Sequence, residues 1–255
     1  MKRYIVFLKQ VPRSTKVEID AVTHTLKRSS ALTQTNPDDL YALQAALDLK
    51  RDTGAEVVAV SMGPASAEDV LREALQRGAD RAILLSSPAF AGSDTWCTST
   101  VLAAAVRKVG DFDLLFFGRM AIDGDTAQVG PEVAGQLDIP QVTSLVALEG
   151  ISENHLRACR RAGTVIQHLE TELPCAVMVS RENGVLACPT LSGWRYAWKQ
   201  EIVRWDETDL NLDSSAVGLH ASPTKVVSTF VPCQGKSLRW LANAEELRLA
   251  IISEI

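Results

Sequence analysis

Apolar residues in the first 180 positions occur in short runs separated by amphipathic stretches. The runs at residues 5–8, 57–62, 82–85, 114–117 and 176–179 are almost wholly apolar rather than alternating. Strands with that pattern are buried on both faces. The pattern therefore predicts a parallel sheet with helices on both faces, an α/β fold of Rossmann-like, adenine nucleotide alpha hydrolase-like type.

The amphipathic stretches predict helices with recognisable ends. Asn36 is a suitable N-cap, and Pro37 suits the first position of the helix that follows. Ser66 and Asp69 have the spacing of a capping box for the next helix. A further helix is predicted at residues 94–109.

The pattern changes after residue 140. Residues 156–161 and 164–169 flank an Ala-Gly pair, which predicts a β-hairpin. Beyond Ser180 few runs could form a core, so the chain is predicted to continue as an extended arm on another polypeptide. We predict an α/β nucleotide-binding domain at residues 1–184 and a separate C-terminal region at residues 185–255.

Composition narrows the class of protein. The chain has 255 residues, 46% hydrophobic and 22% charged, as is ordinary for a soluble globular protein. A net charge of −5 gives no general basic surface for nucleic acid. No run approaches the roughly 20 apolar residues of a membrane helix, and the first run is too short for a signal peptide. We expect a cytoplasmic protein.

The cysteines are odd in number, scattered, and without the spacing of metal ligands, so we expect reduced thiols and no metal site. They are Cys97, Cys159, Cys175, Cys188 and Cys233.

The loop after residues 114–117 carries the strongest ligand signal. It leads into a predicted helix, whose first backbone N–H groups are free to hold a phosphate. Its glycines allow the backbone to come close to a ligand, and its polar side chains supply donors and acceptors for phosphate, ribose or adenine. A polar turn with a helix cap accounts for the same composition. The candidate groups are the donors Thr126 and Gln128, the acceptors Asp123 and Asp125, and the glycines Gly124 and Gly130.

Other strand ends are expected beside this loop. Ligands of parallel α/β sheets bind beyond the carboxyl ends of the strands. Residues 7–9, residues 61–64 and the helix start at Asn36 should therefore meet the loop in a nucleotide-sized site. Neither a phosphate-loop lysine signature nor a Gly-x-Gly-x-x-Gly fingerprint is present. Residues 61–64 alone are explained by a turn, and Lys9 by a solvated strand end.

Six motifs occur in an order and spacing that closely resembles the β subunit of electron transfer flavoproteins. The resemblance covers nearly the whole chain, and residues 122–131 are specific to that family. The motifs are residues 9–12 (KQVP), 36–39 (NPDD), 61–64 (SMGP), 77–82 (RGADRA), 121–131 (AIDGDTAQVGP) and 140–143 (PQVT).

The resemblance implies a subunit that is not an enzyme alone. It implies pairing with an α subunit that carries most of a redox-active FAD, while the β subunit holds an adenine nucleotide of its own. Gly124 and Gly130 would allow that nucleotide to approach closely, and Asp125 lies in the same block. The nucleotide-contacting residues implied are Phe7, Asn36, Met62, Gly63, Asp123, Thr126, Gln128 and Val129.

The resemblance leaves two nucleotides open. Ordinary members hold a structural AMP, and electron-bifurcating members hold a second FAD that NADH reduces. Residues 123–131 and 222–232 look more like the bifurcating type, which favours FAD. In that case Ser222 and Thr224 are expected to donate to phosphate or flavin oxygens, although a turn and strand start explains them equally.

Residues 186–200 occupy the place of the family's partner-recognition loop. Leu191 aligns with a leucine that inserts into an acyl-CoA dehydrogenase, and the tail beyond is implied to wrap the α subunit. The usual Asn-Glu-Pro-Arg is replaced by residues 182–186, and the lysine-rich helix by residues 194–200, which are rich in aromatics. The resemblance therefore leaves the identity of the dehydrogenase open.

Two other function classes fit the same layout. One is a universal-stress-type protein that binds adenine nucleotide without flavin or an α subunit. The other is a hydrolase or ligase, which needs a positioned acid, base or metal. Asp123 and Asp125 could bind magnesium, but no further ligands are evident. The histidines do not cluster near the nucleotide segments; they are His24, His155, His168 and His220.

Overall fold

The computed structural model describes residues 2–13, 32–225 and 240–253. Its main feature is a sheet of nine strands in the order β11-β5-β4-β1-β6-β10-β7-β8-β9, and β2 and β3 form a separate antiparallel pair. The strands are β1 (Arg3–Phe7), β2 (Gln10–Pro12), β3 (Thr33–Thr35), β4 (Glu56–Met62), β5 (Arg81–Leu85), β6 (Leu114–Gly118), β7 (Gln141–Ile151), β8 (His155–Ala162), β9 (Val165–Glu172), β10 (Cys175–Val179) and β11 (Val203–Trp205).

The nine-stranded sheet is parallel from β11 through β7, and β7, β8 and β9 continue it as an antiparallel meander. The apolar runs all lie in the parallel part, and their central residues are fully buried. The predictions of a parallel α/β sheet and of the β8–β9 hairpin are confirmed.

Helices cover both faces of the sheet. One core contains the inner sides of α1, α2 and α5, and the other contains those of α3 and α4. Within the described ranges, every helix is too short or too polar to cross a lipid bilayer. The helices are α1 (Pro37–Thr53), α2 (Glu68–Arg77), α3 (Thr95–Val109), α4 (Val129–Leu137), α5 (Leu191–Lys199), α6 (Gly218–Ala221) and α7 (Ala244–Ser253).

Of the two helix starts predicted from capping residues, that of α1 is confirmed and that of α2 is wrong. Asn36 is the N-cap of α1 and Pro37 its first residue, as predicted, although the Asn36 side chain makes no capping bond. The capping box at Ser66 and Asp69 was wrong. A 3₁₀ turn at Ala65–Ala67 runs directly into α2, and its carbonyls accept from the Glu68 N–H. The Ser66 hydroxyl donates to Gln10 Oε1 instead.

Part of the C-terminal region packs on the α/β domain. The strand β11 extends the sheet beside β5, and α5 lies on α2. Buried residues from this region, Ala197, Leu210 and Val217, join the two cores. Packing of the remaining arm on another polypeptide stays a prediction.

Candidate functional site

The strand order reverses between β1 and β6. From β1 the chain crosses to β4 on one side, and from β5 it returns to β6 on the other. Open α/β sheets bind ligands beyond the strand ends at such a point. The segments that leave β1 and β6 meet there, where Lys9 Nζ donates to Asp123 Oδ1 at 2.6 Å. The expected convergence of strand ends is therefore present.

Asn36 joins the start of α1 to the loop that follows β6. The residue is fully buried. Its Nδ2 donates to Met120 O at 3.0 Å, and its Oδ1 accepts from Ile122 N at 3.2 Å. These bonds leave the side chain facing the loop backbone. Asn36 thus ties the start of α1 to residues 120–122, and the contact with a nucleotide that the resemblance implies stays a prediction.

Asp39 is a buried carboxyl beside Asn36. It accepts from Lys9 N at 2.7 Å and from Asn36 Nδ2 at 2.9 Å. A Cβ on Gly118 would overlap Asp39, so only glycine lets β6 end this close to α1. Burial raises the pKa of Asp39 to about 7, against the lowering effect of the Asn36 hydrogen bond.

A second buried acid anchors the neighbouring strand ends. Asp38 pairs with Arg181, just after β10, and lies 3.9 Å from Arg119 Nε, just after β6. Sequence reasoning missed both arginines and the inward direction of the two acids. The only available signal was the pair of acids in the first turn of a helix that follows a strand end.

The loop between β6 and α4 has an unusual backbone. Asp125 has φ 52° and Ala127 has φ 54°, a region that non-glycine residues rarely occupy and that costs about 1–2 kcal/mol each. Right-handed Gln128 follows left-handed Ala127. Alternation of this kind turns successive N–H groups toward one concave side, a geometry that binds anions. Residues 122–128 are exposed, so a phosphate could reach the backbone of this loop.

The two candidate glycines have different surroundings. A Cβ on Gly130 would lie 2.9 Å from Met178 Cε and 3.2 Å from Phe117 Cγ, so this glycine seats the first turn of α4 on the sheet. At Gly124 a Cβ would meet only Lys9 Nζ, at 4.0 Å. Gly130 thus lets α4 pack closely on the sheet, whereas the backbone at Gly124 is open.

The end of β1 lies next to the end of β6 in the sheet, and the end of β4 lies next to that of β1. Phe7 is buried and stacks on Phe117, with ring centroids 4.4 Å apart. Met62 is half-buried, and a Cβ on Gly63 would touch Ala67 at 3.0 Å. Phe7, Met62 and Gly63 thus lie at or just after the ends of β1 and β4, and their contact with a nucleotide stays a prediction.

The segment that contains Ser222 and Thr224 braces the start of α3. Ser222 Oγ accepts from Asp94 N at 2.9 Å, and Thr224 donates to Asp94 Oδ2 from N and Oγ1 at 3.0 and 2.8 Å. Thr95 follows Asp94 in the chain, and its Oγ1 donates to Gln128 Oε1 at 3.2 Å. The segment thus adjoins the loop, and donation to a ligand stays a prediction. Residues 226–232 of this block lie outside the described residues.

Leu191 lies away from the crevice, at the first residue of α5. Its side chain is 71% exposed. Thr190 caps the helix by accepting from Gly193 N at 3.0 Å, and a Cβ on Gly193 would overlap Gln76 O of α2. Trp194 and Trp198 stack on each other at 6.0 Å on the same helix. The result is an apolar ridge on a fixed helix.

Known proteins match the chain over most of its length. The family model described as electron transfer flavoprotein domain matches residues 23–210. Electron transfer flavoprotein subunit beta of Thermoanaerobacterium thermosaccharolyticum is 43% identical over 229 residues, covering 89% of this chain and 87% of that protein.

Two further relatives are similar at comparable coverage. Caffeyl-CoA reductase-Etf complex subunit CarD of Acetobacterium woodii is 42% identical over 90% of this chain and 88% of its own. Protein FixA of Bradyrhizobium diazoefficiens is 39% identical over 98% of this chain and 90% of its own. Together with the α/β fold, these matches show that the chain belongs to the electron transfer flavoprotein family, among its β subunits.

Proposed function

We propose that this β subunit forms a heterodimer with an α subunit and carries electrons between NADH or acyl-CoA dehydrogenase-type flavoenzymes and an acceptor. In this proposal the crevice between β1 and β6 holds a second FAD, and the heterodimer bifurcates electrons. The observation that carries it is the strained, exposed loop at residues 121–128, which lies at the reversal of strand order beside the start of α4.

The chemistry of the crevice suits a dinucleotide pyrophosphate. The N–H groups around Thr126, Gln128 and Val129 would hold phosphate oxygens, because the first turn of α4 provides them with no helical acceptors. Lys9 pairs with Asp123, so this carboxylate of the loop would repel the phosphates less. A flavin supplies the electron chemistry when bound, and the chain supplies its binding, orientation and electrostatic surroundings.

Structural AMP is the second candidate for this crevice. The loop would hold the phosphate of AMP by the same N–H groups, and the site residues would be the same. The likeness of residues 123–131 and 222–232 to the bifurcating type favours FAD.

The proposed partner surfaces lie in residues 185–255. Leu191 and the stacked tryptophans would anchor a flavin-dependent dehydrogenase or related oxidoreductase, because buried aromatic and aliphatic anchors dominate binding energy. The arm at the C-terminal end would pack on the α subunit. Trp240 is 91% exposed, and Leu249 of α7 is exposed as well, which supports that role.

Counting the released cofactors tests the proposal. The heterodimer is purified, denatured, and its nucleotides are separated and quantified. We expect close to two FAD per heterodimer; one FAD with one AMP would contradict the second FAD. A parallel sample is first equilibrated with excess FAD or AMP and gel-filtered, so that cofactor lost in purification is restored. A β crevice that retains neither nucleotide would contradict the site itself.

A further inference from the structure

Three side chains with metal-binding atoms meet on the antiparallel extension of the sheet, away from the crevice. Cys159 Sγ lies 2.9 Å from Glu149 Oε1 and 3.1 Å from His168 Nδ1. His168 Nδ1 lies 2.7 Å from Glu149 Oε1. Each residue comes from a different strand, namely β7, β8 and β9. The three atoms therefore form a compact triangle at one point of the meander.

Strand register explains this convergence. Cys159 and His168 are directly opposite each other in the β8–β9 pair. On the other side, Leu148 pairs with Ala158 and Gly150 with Arg157, so two steps along β7 match one step along β8. Glu149 is the extra residue of this β-bulge. Bulges redirect side chains, and this one turns Glu149 toward Cys159.

We propose that Glu149, Cys159 and His168 bind one Zn²⁺ ion. Thiolate, imidazole and carboxylate are all zinc ligands, and three protein ligands with an open fourth position form a common zinc geometry. A tetrahedral ion needs its ligand atoms about 3.4–3.6 Å apart, so the triangle must open by about half an ångström. The His168 side chain is 68% exposed, which allows that movement and leaves the fourth position to water.

A nucleophilic cysteine is the competing interpretation of the same cluster. Reactive cysteines have a lowered pKa, from a nearby cation or helix N-terminus. Here the hydrogen bond to Glu149 raises the pKa of Cys159, and burial adds to that effect. On binding, Zn²⁺ would take the place of the Cys159 thiol proton, which would be released to solvent as the thiolate–zinc bond forms.

Zinc stoichiometry in matched variants tests this site. The flavin-loaded heterodimer is stripped with EDTA, dialysed against micromolar ZnCl₂, and its metal counted by mass spectrometry. Cys159→Ser and His168→Gln should each remove one zinc per heterodimer, with affinity at least tenfold weaker. The controls are Cys188→Ser, an exposed thiol elsewhere, and His155→Gln, an exposed histidine of β8. Both should keep the full zinc content.

The variant difference is the deciding quantity, since it cancels any zinc bound by the α subunit. Because His168 is exposed, its substitution should leave folding intact even where Cys159→Ser does not, and flavin content checks this in each sample. Wild type that binds no zinc at micromolar concentration would overturn the proposal. Equal zinc in wild type and in His168→Gln would overturn it too.

Discussion

Asp39 illustrates how a single side chain links the first strand, the first helix and the loop between β6 and α4. Its two acceptor bonds tie it to Lys9 N and to Asn36, and Asn36 in turn holds Ile122 N. Charged groups nearby are Lys9 on one side and Asp38 on the other. Because burial favours the neutral carboxyl, this residue should titrate near neutral pH.

Asp39→Asn should change how stability depends on pH. The pKa of Asp39 is about 7 when folded, against an ordinary value of 3.8 that applies to the unfolded chain. Between these values the folded state binds more protons, so this group's stabilisation is complete below pH 4 and is lost as pH rises through 7. From pH 5 to 8 the wild type should lose about 2–3 kcal/mol more than the variant.

Urea unfolding of the heterodimer at pH 5, 6, 7 and 8 measures this difference. Asparagine keeps the shape of the side chain but can accept only one of the two hydrogen bonds that Asp39 accepts, from Lys9 N and Asn36 Nδ2. That loss is the same at every pH, so the change of stability with pH, and not the stability at one pH, reports the ionisation. Parallel pH profiles for the two proteins would contradict a raised pKa at Asp39.

Single residues also mark where sequence reasoning reaches its limit. Gly124, Asp125 and Thr126 could be proposed as ligand-binding residues from the sequence because polar and small residues cluster after an apolar strand, which is a local signal. The inward direction of Asn36 could not be found, since it depends on a hydrogen bond across 86 positions of sequence. The partners of Cys159 were missed for the same reason, because strand register brings His168 and Glu149 to it.

At the scale of elements, α4 packs on the sheet and directly follows the loop at residues 119–128. Two glycines of α4 allow a matched test of whether this packing affects nucleotide binding. Gly130→Ala would press a methyl group against Phe117 and Met178 and lift the first turn of α4, costing about 1–3 kcal/mol. Gly130→Ala should also lower the amount of nucleotide retained, because the displaced first turn of α4 carries N–H groups of the proposed site. At Gly135 a Cβ meets nothing within 4 Å, so Gly135→Ala should stabilise by about 0.5–1 kcal/mol.

Thermal unfolding and nucleotide retained after gel filtration report these two effects separately. The helix is the same in both variants, so helix propensity cannot account for opposite signs. If Gly130→Ala retained as much nucleotide as Gly135→Ala, the packing of α4 on the sheet would not affect nucleotide binding.

Elements with a strong local pattern were predictable, and those made by pairing were not. The parallel strands appear as apolar runs because both of their faces are buried. The three-residue strand β11 has two exposed positions and exists through its pairing with β5, so periodicity gave no sign of it. The start of α2 was mispredicted because carbonyl groups of a 3₁₀ turn accept the hydrogen bond of a first N–H group, in place of a capping side chain.

At the scale of the whole molecule, the exposed large apolar side chains among the described residues are concentrated in the C-terminal region. Leu191, Trp194 and Trp198 are exposed along α5, and Trp240 is exposed beyond it. The helix α5 is nevertheless held on the domain, since Arg72 donates to Ala197 O at 2.6 Å. A fixed helix that presents apolar side chains loses little entropy on binding, as expected of an interaction surface.

Leu191→Ala should therefore slow electron transfer to the partner oxidoreductase while leaving flavin content unchanged. Removing a buried interface anchor costs about 2 kcal/mol, or roughly a thirtyfold loss of affinity for the partner. The crevice is built from other elements, so its cofactor should be unaffected. Val185→Ala is the matched control, because Val185 is a more exposed apolar residue outside the helix. Steady-state transfer rates at varied partner concentration, with flavin absorbance for each variant, separate the two effects; equal rates for wild type and Leu191→Ala would remove Leu191 as the anchor.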